Sequence, residues 1–290
     1  MKVLNLVDLE KSDIKYEISK FPDGQQQVSI LETSFLDLAK YSLLSSHANS
    51  VTIKSRLNDF RDLELIICTT ASLRQLGVKE IHLYTPYFLG SRSDRQFEHG
   101  SNNYLKHVIC PIINSLGFES VTVLDPHSDV LEACLNGFIK VSNRSLVEYA
   151  LSDLNIDTDK FILISPDAGA SKKIYKIAEQ IGYKGDIITC GKDRDEDGKL
   201  TKTEIIIPWD CLKKDLIIVD DICDGGATFI NIAKKVKELS DIYTHKGKIY
   251  LIVTHGIFSK GFDELNKYFD GIYTTNSYKG DYSKHVLNVF

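Results

Sequence analysis

LIIVDDICDGGATFINIAKK, Leu216 to Lys235, is the stretch on which the reading of the fold turns. An apolar run, Leu216 to Val219, leads into adjacent aspartates, Asp220 and Asp221. Asp224 follows, then Gly225 and Gly226, and the pattern becomes helical. A short continuous apolar run of this kind reads as a strand buried on both faces. A carboxylate at the end of such a strand can reach a sugar hydroxyl or a divalent metal. The backbone N–H groups of Gly225, Gly226, Ala227 and Thr228 then stand at a helix N-terminus, where unpaired amides and the helix dipole favour an anion. Glycine lets the backbone approach such a ligand closely. Capping is the plainer alternative, with Asp224 or Thr228 closing the first turn of the helix. It leaves the pair Asp220 and Asp221 unexplained.

Working outward, apolar runs alternate with helical stretches. SVTI (50–53) and EIHLYTPY (80–87) read as strands, with a helix over 57–77 between them that Gly77 ends. A helix over 102–118 precedes the strand SVTVLDP (120–126). KFILISPD (160–167), a helix over 170–182, the strands 185–190 and 203–208, and DLIIVDD (215–221) with its helix come next. GKIYLIVTHG (247–256) and GIYTTNS (271–277) close the series. Strands alternating with helices imply α/β architecture, with mainly parallel sheets flanked by helices. A chain of 290 residues suits two cores better than one. A boundary near residue 140 divides it into domains 1–140 and 141–290, with the last ~12 residues packing back on the first. Ligands of such sheets bind beyond the carboxyl ends of strands. Four strands end in suggestive polar groups: TPYF, LDPHSD, ISPDAGA and VDDICDGGAT.

The net charge of −5 argues against nucleic acid or an anionic membrane as the main partner. No apolar run approaches the roughly 20 residues that span a bilayer. The first residues read as a short strand and turn, not as a signal peptide. The six cysteines are scattered without a CxxC pair, so reduced core cysteines in a cytoplasmic protein are expected, and structural zinc is not.

The opening stretch resembles the phosphoribosyl-pyrophosphate motif of type I phosphoribosyltransferases. Five further segments narrow the resemblance to the ribose-phosphate diphosphokinases, which make that compound. FPDGQ (21–25) resembles the family's FSDGE, and TPYFLGSRSDRQF (85–97) its PYFGYARQDR. VLDPHSD (123–129) resembles VDLHAEQ, ISPDAGA (164–170) resembles SPDxGG, and VTHGIFS (253–259) resembles THGLFS. The order is preserved and the matches cover nearly the whole chain. One such segment is weak evidence; six in order are specific.

The resemblance implies two phosphoribosyltransferase-like domains, the first on the ATP side and the second on the ribose-phosphate side. It implies magnesium-dependent transfer of diphosphate from ATP to the anomeric hydroxyl of ribose 5-phosphate, giving phosphoribosyl pyrophosphate and AMP. Carried over residue by residue, Arg92, Asp94, Arg95, Gln96 and His127 hold ATP. Phe21 and Asp23 meet the adenine from a neighbouring subunit, with Gln25 also at the ATP site, which implies a homo-oligomer. His127 and Asp167 are metal-site residues. Asp220, Asp221, Asp224, Gly225, Gly226, Ala227 and Thr228 hold the ribose phosphate. Lys192 and Arg194 match a Lys-x-Arg pair on a polar flap, CGKDRDEDGKLTKTEI (190–205), that closes over the transferring phosphates.

The chain departs from the family pattern in its loop, DDICDGGAT where DDxxDTGGT is usual. Gly225 replaces a threonine, removing a hydroxyl, and Ala227 replaces a glycine. Gln25 stands for a glutamate and Ser93 for a glutamine. These departures bear on the acceptor sugar: a 5-substituted ribose phosphate such as ADP-ribose is the alternative. A relative that binds nucleotide without catalysis is a further alternative. A transferase that consumes the activated sugar is disfavoured by the ATP-side segments.

Overall fold

The structure, a computed structural model, describes residues 1–31, 34, 50–194, 200–208, 213–243, 247–280, 282 and 285–290. It divides into two compact units, Met1–Val141 with Phe290, and Ser142–Val289.

The first unit is built on a parallel sheet. Its strands are β1 (Lys2–Asn5), β4 (Ser50–Lys54), β5 (Glu80–Tyr84), β6 (Ser120–Leu124) and β7 (Phe138–Val141), in the order β1-β4-β5-β6-β7. Alternate residues Val51, Ile53, Ile81, Leu83, Val121 and Val123 are buried in one core cluster. Helix α1 (Phe60–Gln75) buries Leu63, Ile66 and Leu73, one stripe at helical spacing. Asp59 starts it by accepting from the N–H groups of Arg61 (2.8 Å) and Asp62 (3.1 Å). It stops at Gly77, whose φ of +85° is the left-handed conformation common after helices. An antiparallel hairpin of β2 (Tyr16–Lys20) and β3 (Gln26–Ile30) lies against this helix, fastened where Ser72 Oγ donates to Val28 O and Gln26 donates to Glu64.

The helix expected over 102–118 is shorter and irregular. A π-helical turn, Leu105–Ile109, runs into α2 (Cys110–Ser115). Pro111 explains the widening: it has no N–H, and its ring crowds the carbonyl four residues back. Helix α3 (Val130–Cys134) follows β6. Phe290 completes the unit, its ring edge-on to Tyr84 at 6.2 Å and its main-chain oxygen accepting from Lys11 Nζ.

The second unit holds a six-stranded parallel sheet of β8 (Phe161–Ser165), β9 (Ile187–Thr189), β12 (Asp215–Cys223), β13 (Ile249–Gly256), β14 (Gly271–Thr275) and β15 (Val286–Leu287). The order is β15-β14-β13-β12-β8-β9. Both faces are covered, as the continuous apolar runs imply. Ile162, Ile164, Leu216, Ile218, Leu251 and Val253 pack on one side with Phe229, Ile232 and Val236 of α6 (Ala227–Tyr243). Phe161, Leu163, Ile217, Val219 and Ile252 pack on the other. There they meet Leu146 and Val147 of α4 (Arg144–Leu154), and Ile174 and Ile177 of α5 (Ser171–Gln180). Each such side chain contributes about 1.5–3 kcal/mol by leaving water.

Two strand boundaries differ from expectation. The strand expected at 203–208 is instead β11 (Leu200–Glu204), paired antiparallel with β10 (Gly191–Arg194), and Ile206 is 86% exposed. Cross-strand pairing thus outweighs the apolar run Ile205–Ile207. Strand β12 continues past its acidic pair to Cys223, because β13 pairs with it through Cys223↔Gly256. No described helix is long and apolar enough to cross a membrane. The five described cysteines are free thiols.

Candidate active site

In the second unit the chain passes from β8 through α5 to β9 on one side. It then returns with β12 on the other side of β8. The order reverses between β8 and β12, and at such a switch point a crevice opens beyond the strand ends. The ladder between them ends at Ile218↔Ile164. Asp220 and Asp221 follow after Val219, where β12 has lost β8 but still holds β13. The backbone of the acidic pair is therefore held by a neighbouring strand on the β13 side only.

Their surroundings differ. Asp221 is 5% exposed, and its Oδ2 lies 2.5 Å from Lys173 Nζ on α5. Asp220 keeps some accessible surface, yet protein encloses it closely. Burial, then the charge of Asp221, raises its carboxyl well above the usual range; Asp167 pushes the same way and Lys173 the other. Asp167, Asp220, Asp221 and Lys173 thus form one electrostatic group at the switch point. Asp167 also holds its own turn: Oδ1 accepts from Ala170 N–H at 2.9 Å, and Ser165 Oγ donates to its main-chain oxygen.

Beyond Cys223 the chain bends through Asp224 and Gly225 and enters α6 at Ala227. Gly226 has φ +78°, and a Cβ there would stand 3.0 Å from Leu265 Cδ2, so a side chain would meet a strained backbone and a close neighbour together. Ala227 is exposed and Thr228 half-buried on the first turn of α6. Ser259 Oγ donates to Asp224 Oδ1 at 2.6 Å. His255 is buried at the end of β13, with Nδ1 2.8 Å from Ser277 Oγ.

In the first unit, the residues matched to ATP fall on the loop after β5. Arg92, Arg95 and Gln96 are exposed and Asp94 half-buried. The loop is internally wired: Ser93 N–H donates to Gly90 O, Asn103 Nδ2 to Asp94 O, and Gln96 Nε2 to Glu98 O. Arg95 lies over the ring of Phe97 at 5.3 Å. His127 is exposed on the loop after β6, where buried Asp125 takes a φ of +41°. Phe21, Asp23 and Gln25 form the tip of the β2–β3 hairpin. Its turn is closed by Phe21 N–H to Gln25 O at 2.9 Å and by Gln25 N–H to Asp23 Oδ1 at 3.1 Å. Phe21 is 45% exposed there and is not a core residue.

Lys192 and Arg194 fall on β10; their side chains, and residues 195–199 of the expected flap, lie outside the described residues. Among the described residues no group of three or more His, Cys, Asp or Glu could hold a metal unaided. The oxygen donors at the switch point suit magnesium, which keeps waters and takes one or two carboxylates together with phosphate.

Sequence reasoning missed Lys173 and Ser259. The signal for Lys173 was the lysine pair in ASKKIYK, opening a helix beside an acidic strand end. Ser259 stood inside the quoted segment VTHGIFS without a role.

Two units, each built on a parallel sheet, the second with acidic and amide-rich groups at its switch point, define an α/β protein of the phosphoribosyltransferase-like class. The phosphoribosylpyrophosphate synthetase from Mycobacterium smegmatis shares the fold, with a TM-score of 0.77 at 14% identity over 100% of this chain and 95% of that one. No family model matches the sequence. The ribose-phosphate pyrophosphokinase of Mycoplasmopsis pulmonis is 30% identical over 262 residues, 89% of this chain and 74% of that protein. That of Pyrococcus furiosus is 25% identical over 279 residues, 95% and 90% of the two chains. The chain belongs to the ribose-phosphate pyrophosphokinase family of diphosphotransferases.

Proposed function

We propose that the chain transfers the β,γ-diphosphoryl group of ATP to ribose 5-phosphate, giving phosphoribosyl pyrophosphate and AMP. The anomeric oxygen attacks the β-phosphorus, the bond from that phosphorus to the α-phosphate oxygen breaks, and the hydroxyl proton is released. Positioning and charge neutralisation carry most such reactions. The observation behind this reading is the acidic pair beside a helix-start amide loop at the switch point, in a chain of this family.

Asp220 and Asp221 accept from ribose hydroxyls. The amides of Gly225, Gly226, Ala227 and Thr228, with the Thr228 hydroxyl, hold the 5-phosphate, and Asp224 is oriented by Ser259. Arg92, Asp94, Arg95, Gln96 and His127 hold ATP, arginine matching phosphate through its donor fork. Lys192 and Arg194 bring two cations to the developing negative charge. Asp167 and His127 are the residues that would hold magnesium, which would supply charge neutralisation when bound. Phe21, Asp23 and Gln25 complete the ATP site of a neighbouring copy; an exposed aromatic at a hairpin tip supports that role. A homo-oligomer working in the cytoplasm belongs to the same reading.

Gly225 and Ala227 favour a second acceptor class, a 5-substituted ribose phosphate such as ADP-ribose. Incubation with ATP, magnesium and a panel of ribose phosphates, followed by product mass, separates the readings. A diphosphorylated ribose 5-phosphate supports the first and a diphosphorylated ADP-ribose the second. Absence of AMP with every acceptor leaves a non-catalytic relative.

A further inference from the structure

Gly225 lacks the threonine hydroxyl usual in the family's loop, and the space is not empty. A Cβ at Gly225 would stand 3.3 Å from Lys260 Cε, 3.4 Å from Cδ and 3.6 Å from Cγ. The stem of Lys260 lies along the loop where a threonine side chain would otherwise stand. Lys260 is exposed, so its ammonium sits at the loop surface on a packed stem.

The turn that carries Lys260 is fastened to the loop. Ile257 and Phe258 N–H groups donate to Cys223 O at 2.8 and 3.1 Å, and Ser259 N–H to Asp224 O at 3.2 Å. Ser259 Oγ donates to Asp224 Oδ1. Gly261 N–H closes the turn on Phe258 O at 2.9 Å, and the buried Phe258 ring packs on Phe262 and Tyr282. The turn therefore holds the backbone of Lys260 beside the loop, and its stem lies over Gly225.

We infer that Lys260 binds the acceptor's phosphate monoester in place of the missing hydroxyl, and that Gly225 leaves room for it. This rests on the acceptor site proposed above. The chemistry suits the exchange. An ammonium on a phosphate makes a charge-assisted hydrogen bond, roughly twice as strong as a neutral one. Three rotatable donors on a flexible stem need no single phosphate orientation. The cation also offsets the repulsion that Asp224 presents to an arriving dianion.

The test is calorimetric titration of the full chain with ribose 5-phosphate, with ribose as control, beside steady-state kinetics. Lys260→Met keeps an apolar stem over Gly225 and removes the charge. It raises the Kd and KM for ribose 5-phosphate about tenfold and leaves the KM for ATP within about twofold. In a Gly225→Thr background, where the stem is displaced, the same change has a smaller effect. Unaltered ribose 5-phosphate affinity in Lys260→Met overturns the inference, as does failure of the unchanged chain to bind ribose 5-phosphate. If the unchanged chain binds ribose 5-phosphate through Lys260 but releases no AMP, the proposed reaction falls and this inference stands. If Lys260→Met forms AMP with wild-type constants, the reverse holds.

Discussion

Lys173 Nζ lies 2.5 Å from Asp221 Oδ2, tying the helix after β8 to the polar end of β12 across the switch point. The pair is asymmetric: the aspartate side chain is 6% exposed and the lysine 28%. Lys173→Met strands a buried carboxylate beside Asp220. The ~3 kcal/mol cost of breaking a buried pair falls toward ~2 kcal/mol because the lysine is partly hydrated. Urea denaturation checks this, and adding Asp221→Asn should recover most of the loss. Equal stability of Lys173→Met and the unchanged chain would show that the pair is not coupled.

The raised Asp220 carboxyl has a consequence for pH. In the folded chain it keeps its proton at pH values where the unfolded chain has lost it. Stability therefore falls as pH rises from the usual carboxylate range toward the folded value. Asp220→Asn removes this dependence. In chelator, the variant should gain on the unchanged chain in thermal melts as pH rises above about 4, the ordinary aspartate pKa. A constant difference above that pH speaks against a raised Asp220.

Neighbouring glycines of the loop should respond differently. Gly226→Ala places a Cβ at φ +78° against Leu265, and the expected loss is about 1–2 kcal/mol with weaker ribose 5-phosphate binding. Gly225→Ala meets the movable stem of Lys260 first and should cost under about 0.5 kcal/mol. Chemical denaturation of both variants, side by side, makes the comparison. Equal losses would mean that loop strain is not located at Gly226.

Phe21→Ala should leave the melting temperature unchanged, because the ring is 45% exposed at a hairpin tip. Its KM for ATP should rise several-fold, about 1 kcal/mol for a lost stacking contact. A large drop in melting temperature with normal ATP kinetics would return Phe21 to a structural role.

Much of the α/β plan was legible because the second unit's strands are apolar on both faces. LIIV and YLIVT can be read without partners. The hairpin β2–β3 was not read as strands, since Gln26–Ile30 carries polar residues and takes its order from Glu64 and Ser72 of α1. The limit of β12 at Cys223 was equally hidden, because it depends on how far β13 runs alongside. At the site, the acids and glycines stood out by type and spacing. Lys173 and Lys260 did not, because each comes to the end of β12 or to its loop from another element, and only the fold brings it there.

The most direct measurement follows the phosphates of ATP during turnover with ribose 5-phosphate and magnesium, by phosphorus NMR of the whole reaction. The account predicts one AMP for each acceptor consumed, with both the β- and γ-phosphorus carried on the anomeric oxygen. ADP formed together with a singly phosphorylated sugar would contradict it, and so would the lack of any AMP.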